Sequence, residues 1–539
     1  MTVYATTPID GQKPGTSGLR KKVKTFKKDN YLENFVQSVF NALDRCEGAR
    51  LVVGGDGRYL NREAIQTIIQ MAVANGFGEL IIGQGGILST PAASCVIRKY
   101  PSCGGIILSA SHNPGGPEED FGIKFNGPNG GPATEAMTDV IYQHTLSLTE
   151  FRKAEVEPVN LDQLGEYQRE ATLIRVIDPV TDYAQLMQEL FDFEAMRRII
   201  SSGEFHFCFD AMHAVTGPYA RHILVDLLGA PPATVINALP QEDFGGHHPD
   251  PNLVHAAELV TRVNTEGLDF GAASDGDGDR NMVLAANFYI NPCDSLALLA
   301  AQSGHIPAYR AGLAGVARSM PTSRALDRVA AKFGLNCYET PTGWKFFGNL
   351  MDANRITFCG EESFGTGSSH VREKDGLWAV LCWLNILAAT GKSAAELMRE
   401  HWSLYGRDYF TRHDYEGVDS AAAAQMFSAL RAQLDSLVGQ SYAGLEVVQA
   451  DDFSYTDPVD GSVSRGQGVR IFFSGGGRIV LRLSGTGTSG ATLRVYYDLY
   501  SDEALEMDPQ AALAPLMQAA DALVGIARHT GRTAPDVVT

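Results

Sequence analysis

Closely spaced cysteine pairs are missing from these 539 residues. Cys46, Cys95, Cys103, Cys208, Cys293, Cys337, Cys359 and Cys382 are scattered, with no C-x-x-C, which argues against zinc and dithiol motifs. Most lie in apolar surroundings, as buried thiols of a reducing compartment do. Basic residues are also in short supply. The chain has 44 Lys and Arg against 63 Asp and Glu, a net charge of −19. That balance disfavours nucleic acid or an anionic membrane as the main partner. It leaves room for a small anionic substrate wherever basic groups are concentrated. The longest apolar run, Leu377 to Ala389, is too short for a membrane span and reads as a core helix. Met1-Thr2-Val3-Tyr4 lacks the basic-then-apolar pattern of a secretory signal. These absences predict a soluble, cytoplasmic protein. Its hydrophobic fraction of 44% suits packed cores, and its length suits three or four domains.

What is present is a recurring layout. Gly104 to Leu108 is short, β-branched and bounded by glycines, so it reads as a buried strand. It runs into Ser109-Ala110-Ser111-His112-Asn113-Pro114-Gly115-Gly116. There Asn113 is biased to extended geometry by the proline, and the glycines let main-chain amides approach an anion. A hydroxyl held at a strand end beside an imidazole suits a covalent nucleophile, although a Ser–His pair alone is more often a plain turn. Upstream, Leu51 to Gly55 and Leu80 to Ile82 read as strands and Arg62 to Ala74 as a helix. A glycine-rich loop is expected from Gly83 to Thr90, and a helix over 133–146. The polar stretch 150–180 reads as a linker or surface excursion. A second α/β pattern follows, in which Leu268 to Ala273 feeds Ser274-Asp275-Gly276-Asp277-Gly278-Asp279-Arg280. In a third, Ile356 to Cys359 feeds Gly360-Glu361-Glu362-Ser363-Phe364-Gly365. Ligands of open α/β sheets bind at such strand ends, and three converging loops would build one site. The last part differs: a helix over Ala421 to Leu437, strands near 469–473, 478–483 and 492–497, and a helix over Pro509 to Ala527. The predicted fold is therefore three mixed α/β domains (1–185, 186–292, 293–405) and an α+β domain with an antiparallel sheet (406–539), set around one central cleft.

Asp275, Asp277 and Asp279 alternate with glycines, and carboxylates this close repel one another unless a cation sits among them. All-oxygen ligation selects a hard cation, Mg²⁺ or Ca²⁺. An EF-hand loop is excluded, because its sixth position would be Arg280 and its twelfth Ala286. A phosphate oxygen is the usual complement of such a site, and Arg280 can neutralise further charge. Gly485, Gly487 and Gly490 form a G-x-G-x-x-G, but the alternating Thr492 to Tyr497 that follows is a strand, so a dinucleotide fold is excluded. A hydroxyl- and amide-rich loop remains, flanked by Arg482 and Arg494, suited to a phosphate that is held but not reacted. Near the start, Thr16, Ser17 and Arg20 offer hydroxyls and a guanidinium to an oxyanion, ahead of Lys21, Lys22, Lys24, Lys27 and Lys28. Lys124 and Lys374 follow glycine-bearing loops and are candidates for proton transfer, or simply surface charges. Glu361, Glu362 and Ser363 can accept from sugar hydroxyls or cap a helix. The Thr342-Gly343-Trp344 region can line a sugar pocket or lie in the core.

Four signatures, Ser-Ala-Ser-His-Asn-Pro-Gly-Gly, Asp-Gly-Asp-Gly-Asp-Arg, Cys-Gly-Glu-Glu-Ser-Phe-Gly and Arg-Leu-Ser-Gly-Thr-Gly-Thr-Ser-Gly-Ala, occur in this order. With them the chain resembles, essentially end to end, the phosphoglucomutases of the α-D-phosphohexomutase superfamily, in the branch that includes the eukaryotic enzymes. The resemblance implies exchange of glucose 1-phosphate and glucose 6-phosphate through a phosphoserine at Ser111 and a glucose 1,6-bisphosphate intermediate. It implies Mg²⁺ held by Asp275, Asp277, Asp279 and the Ser111 phosphate. It assigns sugar contacts to Glu361 and Ser363, with Thr342 and Gly343 nearby. The unreacted phosphate falls to Arg482, Ser484, Gly485, Thr486 and Arg494. Acid/base work falls to Lys124 and Lys374, with Lys374 the best candidate for the base, and charge support to Arg20, His112 and Arg280. Glu-Glu-Ser-Phe is similar to the glucose-specific branch; the Ser-Gly-His of mannose and glucosamine relatives is absent. Ser109 stands where threonine is common. The expected partner is a small phosphosugar, with no nucleic acid and no membrane, and the expected state a monomer or weak homo-oligomer.

Overall fold

A computed structural model describes residues 2–15, 17–485 and 490–539. Four sheet-centred units follow one another along the chain. The first is a seven-stranded sheet ordered Leu19–Lys22, Asp120–Asn126, Gly105–Leu108, Arg50–Gly55, Glu79–Ile87, Thr172–Ile177, Gly165–Arg169. Its four central strands are parallel and the outer ones antiparallel. Two features differ from the sequence reading. The strand that begins at Glu79 continues through Gly83 to Ile87, with a register shift that absorbs its glycines. The stretch read as a linker contributes three strands, Glu150–Lys153, Gly165–Arg169 and Thr172–Ile177. Its charged residues occupy the outward positions of alternating strands: Leu173 and Arg175 face outward while Thr172, Ile174 and Val176 are buried.

The second unit has five strands (Val235–Ile236, Phe207–Asp210, Phe270–Ser274, Asn281–Ala285, Phe288–Ile290) and the third has four (Cys337–Thr340, Val316–Ser319, Phe358–Glu361, Gly365–Ser368). In each of the three units a strand with a parallel neighbour runs into a polar loop and returns antiparallel beside itself. Gly105–Leu108 pairs with Asp120–Asn126, Phe270–Ser274 with Asn281–Ala285, and Phe358–Glu361 with Gly365–Ser368. The intervening loops are the three that the sequence singles out. The last unit is a seven-stranded antiparallel sheet in which Gly477–Gly485 and Ala491–Ser501 are neighbours. The helix expected over 421–437 is broken at Gln433 into Ser420–Ala432 and Leu434–Leu437.

The first three units share one apolar core, which runs from Val52 and Ile81 through Phe209 and Phe270 to Trp378 and Trp402. Its pin is the helix Gly376–Thr390, capped by Asp375, in which twelve of fifteen residues are buried. Such all-round burial is why the run is apolar without being a membrane span. No single helix among the described residues is long and apolar enough to cross a bilayer. The last unit has its own core and meets the third through the ion pairs Arg328 with Asp408 (2.8 Å) and Arg324 with Asp498 (3.2 Å) and through a small apolar cluster that includes Met320, Phe346, Phe453 and Tyr496.

Candidate active site

Ser111 sits at the end of a strand whose four residues are all buried, with φ of 54°. A non-glycine residue in the left-handed region needs holding, and two side chains hold its backbone. The Ser111 amide donates to Ser109 Oγ at 2.7 Å. Arg58 Nη2 donates to the Ser111 carbonyl at 2.8 Å, and Arg58 Nη1 to that of Asp120 at 2.9 Å. Arg58 is paired with Asp56 at 2.9 Å, with neither side chain exposed. Sequence reasoning passed over this pair. Its signal was a further polar loop, Asp56-Gly57-Arg58, at the end of a buried strand.

The metal loop of the second unit lies against this serine. Ser111 Oγ donates to Asp275 Oδ2 at 3.0 Å, while Asp275 Oδ1 accepts from the amides of Asp279 (2.9 Å) and Arg280 (3.0 Å). Gly276 permits the approach, since a Cβ there would stand 2.4 Å from the Ser111 carbonyl oxygen. Asp275, Asp277 and Asp279 are buried, and one carboxylate oxygen from each lies within 4.8 Å of the others. Burial, then Asp277 and Asp279, push the Asp275 carboxyl well above its ordinary range. Burial pushes Asp277 upward too, but Lys124, the Thr90 hydroxyl, Lys374 and Arg20 together hold it below. Oδ1 of Asp277 and Oδ1 of Asp279 are buried without a hydrogen-bond partner. Three clustered carboxylates, two of them with an unshared oxygen, fit a hard divalent cation, as the spacing implies.

Cations surround the acidic triplet. Lys124 Nζ donates to Thr90 Oγ1 at 3.0 Å and lies 3.6 Å from both Asp277 and Glu373. Thr90 in turn donates to Asp277 Oδ2 at 2.7 Å. Lys374 Nζ is 3.2 Å from Asp279. Burial lowers both lysines, but the facing carboxylates, Glu373 for Lys124 and Asp279 for Lys374, outweigh it and raise them above the ordinary value. Arg280 reaches Asp250 (3.4 Å) and Asp275 (3.9 Å), and Arg20 is near Asp277 and Asp279. His112 Nδ1 lies 3.5 Å from Ser111 Oγ. Burial depresses this imidazole strongly, and Arg280, Arg20, Lys374 and Arg494 add to the effect. Burial and these cations disfavour its charged form, and the ring stands within reach of the serine as a hydrogen-bonding partner. Thr90, Asn126, Asp250 and Glu373 were not foreseen. Glu373 alone had a signal, as the neighbour of Lys374 in the chain.

The third loop separates its two glutamates. Glu361 Oε1 accepts from the Gly343 amide at 3.1 Å, and burial raises its pKa against the pull of Lys374. Glu362 turns inward, with Oε2 accepting from Ser319 at 3.3 Å and its amide donating to Thr322 Oγ1 at 2.9 Å. It serves the third unit's interior. Ser363 is half-buried, and Thr342 Oγ1 is buried without a partner. Trp344 is buried in an aromatic pair with Phe347, so it is core. In the last unit Arg482 and Arg494 stand directly opposite each other on adjacent strands, one pair before Ser484 opposite Thr492 in alternation. Arg494 is 3.6 Å from Asp414, and Arg494 Nε and Ser484 Oγ are buried without a hydrogen-bond partner. Arg494 is close enough to His112 to depress it, and Arg482 close enough to Glu361 and Glu362 to be raised by them. Gly485 ends its strand at the last described residue of that loop. Thr16 and Thr486 lie outside the described residues, and Ser17 is exposed. Main-chain bonds tie the loops together: Thr90 to Asp277 (2.9 Å), Asn281 to Phe364 (2.9 Å) and Gly376 to Gly278 (3.1 Å). The result is a serine, an acidic triplet, a ring of cations and a facing pair of arginines, drawn from all four units.

Comparison with known proteins places every unit. Residues 11–152, 181–287 and 292–405 match the models for alpha/beta/alpha domains I, II and III of phosphoglucomutase/phosphomannomutase, and 407–536 that for the phosphoglucomutase-1 C-terminal domain. A phosphoglucomutase of Rhizobium radiobacter is 60% identical over 537 residues, 99% of each chain. Human phosphoglucomutase-1 is 52% identical over 548 aligned positions, 98% of each chain. The crystal structure of the Paramecium exocytosis-sensitive phosphoprotein pp63/parafusin, a phosphoglucomutase in its open form, superposes with a TM-score of 0.93 at 49% identity, covering 100% of this chain and 99% of that one.

Proposed function

The chain belongs to the phosphoglucomutase/phosphomannomutase family, and from that premise we propose how its own residues interconvert glucose 1-phosphate and glucose 6-phosphate. The observation that carries the reading is the Ser111–Asp275 contact of 3.0 Å, made across 164 residues and ringed by cations. Ser111 carries the phosphoryl group. Asp275, Asp277 and Asp279 would hold Mg²⁺ beside it. When bound, the ion supplies Lewis-acid charge to the transferring phosphoryl.

In each half-reaction the bond from phosphorus to Ser111 Oγ breaks and one to a sugar oxygen forms. The hydroxyl proton is returned, in net, to Oγ. Lys374, held as an ammonium, donates to the departing Oγ and is then neutral and able to accept the hydroxyl proton. Lys124, Arg20 and Arg280 spread the charge of the transition state, and His112 orients the serine through its ring nitrogen. Glu361 and Ser363 accept from sugar hydroxyls, with Thr342 and Gly343 lining that wall. Arg482, Ser484, Gly485, Thr486 and Arg494 hold the phosphate that does not react, and Thr16 and Ser17 also bind substrate. Glucose 1,6-bisphosphate then turns end for end, so that its second phosphate meets Ser111. The four units are divided at residues 185, 292 and 405. The eight free thiols fit a reducing, cytoplasmic setting, and nothing in the mechanism requires more than one copy of the chain.

Ser111→Ala abolishes turnover in a coupled glucose 6-phosphate assay, and treatment with glucose 1,6-bisphosphate adds a phosphoryl mass to the wild type alone. Normal turnover in that variant removes the assignment. Faster rates on mannose or glucosamine phosphates would move the substrate to those sugars. Release of inorganic phosphate without isomerisation would make the protein a phosphatase.

A further inference from the structure

Behind the loop that delivers Glu373 and Lys374 lies a hydrogen-bonded chain that the phosphoryl chemistry does not use. The strand Gly365–Ser368 ends at Ser368, and the core helix begins after its cap Asp375. Between them residues 369–374 leave the unit. Arg372 donates its amide to Ser94 Oγ (3.0 Å), Glu373 accepts from Asn126 (2.8 Å), and Lys374 reaches Asp279 (3.2 Å). The excursion thus touches the first and second units while rooted in the third.

His370 joins its two ends. Its Nδ1 is 2.7 Å from Ser368 Oγ and its Nε2 is 2.9 Å from Asp375 Oδ2, with only 1% of the side chain exposed. Asp375 Oδ1 accepts from Tyr183 OH (2.6 Å) and the Trp378 amide (3.0 Å). Ser368 Oγ is also 2.7 Å from Tyr309 OH, whose oxygen accepts from Trp378 Nε1 at 3.0 Å. The partners fix the direction of each bond. A carboxylate only accepts, so the imidazole hydrogen is on Nε2. Nδ1 then accepts from the Ser368 hydroxyl. Ser368 Oγ accepts from Tyr309, and Tyr309 from Trp378. Every donor meets an acceptor in one arrangement, with the imidazole neutral and stacked on the Trp378 ring, centroids 5.1 Å apart.

We infer that His370 is a positioning residue for the phosphoryl transfer proposed above, on which this inference rests. As a neutral strut between Ser368 and Asp375, it sets the distance between the ends of the excursion, and so the placement of Lys374 against Asp279 and of Glu373 against Lys124. The geometry resembles a serine–histidine–carboxylate triad. Ser368 is fully buried and its hydroxyl hydrogen is committed to the ring, so the constellation is structural and not nucleophilic.

The test uses the full chain. His370→Phe keeps a ring against Trp378 and removes both hydrogen bonds; His370→Gln keeps a donor at the Nε2 position. The phenylalanine variant loses roughly 10- to 100-fold in kcat while KM for glucose 1-phosphate moves less than about threefold, because the distant phosphate clamp is untouched. The glutamine variant recovers most of that loss. In a Lys374→Met background the phenylalanine substitution costs at least about threefold less than in the wild type, since one of the two groups it positions is gone. An unchanged kcat, or full additivity with Lys374→Met, overturns the inference. Should His370→Phe not fold, His370→Gln is compared with His370→Asn, which keeps only the acceptor toward Ser368; equal kcat in the two also overturns it. A wild-type chain without mutase turnover instead removes the functional reading itself.

Discussion

Single side chains in this protein are set by what surrounds them rather than by their type. His112 is a half-buried imidazole and His401 a buried one, for different ends. His112 is depressed by burial and by four cations at the site. His401 lies on the helix Ala394–Tyr405, tilted against the Tyr405 ring, and burial alone lowers it to about 4. The folded state of His401 thus binds its proton less readily than the unfolded chain. Its contribution to stability is complete at neutral pH and is lost as the pH falls from about 6.5 toward about 4. His401→Phe removes that dependence. Between pH 7 and pH 4 the variant gains on the wild type by up to about 3 kcal/mol in denaturant unfolding. Parallel pH profiles for the two proteins would show that the ring is not buried uncharged. The same logic explains why composition could not rank Glu361 above Glu362. Identical neighbours in the chain, they point to opposite sides of a strand end, one to the Gly343 amide and one to Ser319.

Secondary-structure elements contribute by where they stop. In three units a strand ends, a polar loop intervenes and an antiparallel strand returns, which fixes each loop at both ends. A loop so anchored can hold strain such as the positive φ of Ser111. It can also approach another loop closely where glycine allows. Gly276→Ala places a methyl 2.4 Å from the Ser111 carbonyl oxygen and forces the serine and metal loops apart. A displacement of this size lowers kcat by on the order of 100-fold. The thermal midpoint changes little, because the shared core is not involved; a normal kcat in this variant would mean that the loops need not touch. Elements were legible where periodicity was strong, as in the helix Asn61–Ala74 and the strand Gly105–Leu108. They were misread at Gly83–Ile87, where four glycine and β-branched positions lie in a bulged strand, and at 150–177, where charges decorate the outward side of short strands.

At the scale of the whole molecule the units are joined in two ways. The first three share an apolar core, whereas the last meets the third through ion pairs and a smaller apolar cluster. Arg478 is 1% exposed, pairs with Asp498 and donates to the carbonyls of Met320 (2.9 Å) and Thr322 (2.7 Å). Arg478→Met leaves Asp498 short of a partner, and losing one side of a buried pair costs about 3 to 5 kcal/mol. Urea unfolding should show this loss, with the last unit detaching first by hydrogen exchange; a cost below about 1 kcal/mol would mean that apolar contacts hold the unit. Arg494→Ala acts at the same scale but on function. It removes a charge-assisted contact to the distant phosphate and lowers kcat/KM by roughly 10- to 100-fold, leaving phosphorylation of Ser111 by glucose 1,6-bisphosphate measurable by mass.

The amino-acid sequence by itself determined the local chemistry: a strand-end serine, three alternating aspartates, a loop bearing two glutamates and a glycine-rich loop between arginines. Each is written in consecutive residues, and their order sufficed to mark the family. Tertiary structure decided which of these groups meet and in what state of charge. The Asp56–Arg58 brace, the Thr90–Lys124–Glu373 network and the His370 strut depend on side chains from different units burying one another. Burial and neighbouring charge are properties of the folded arrangement, so no stretch of sequence could announce them.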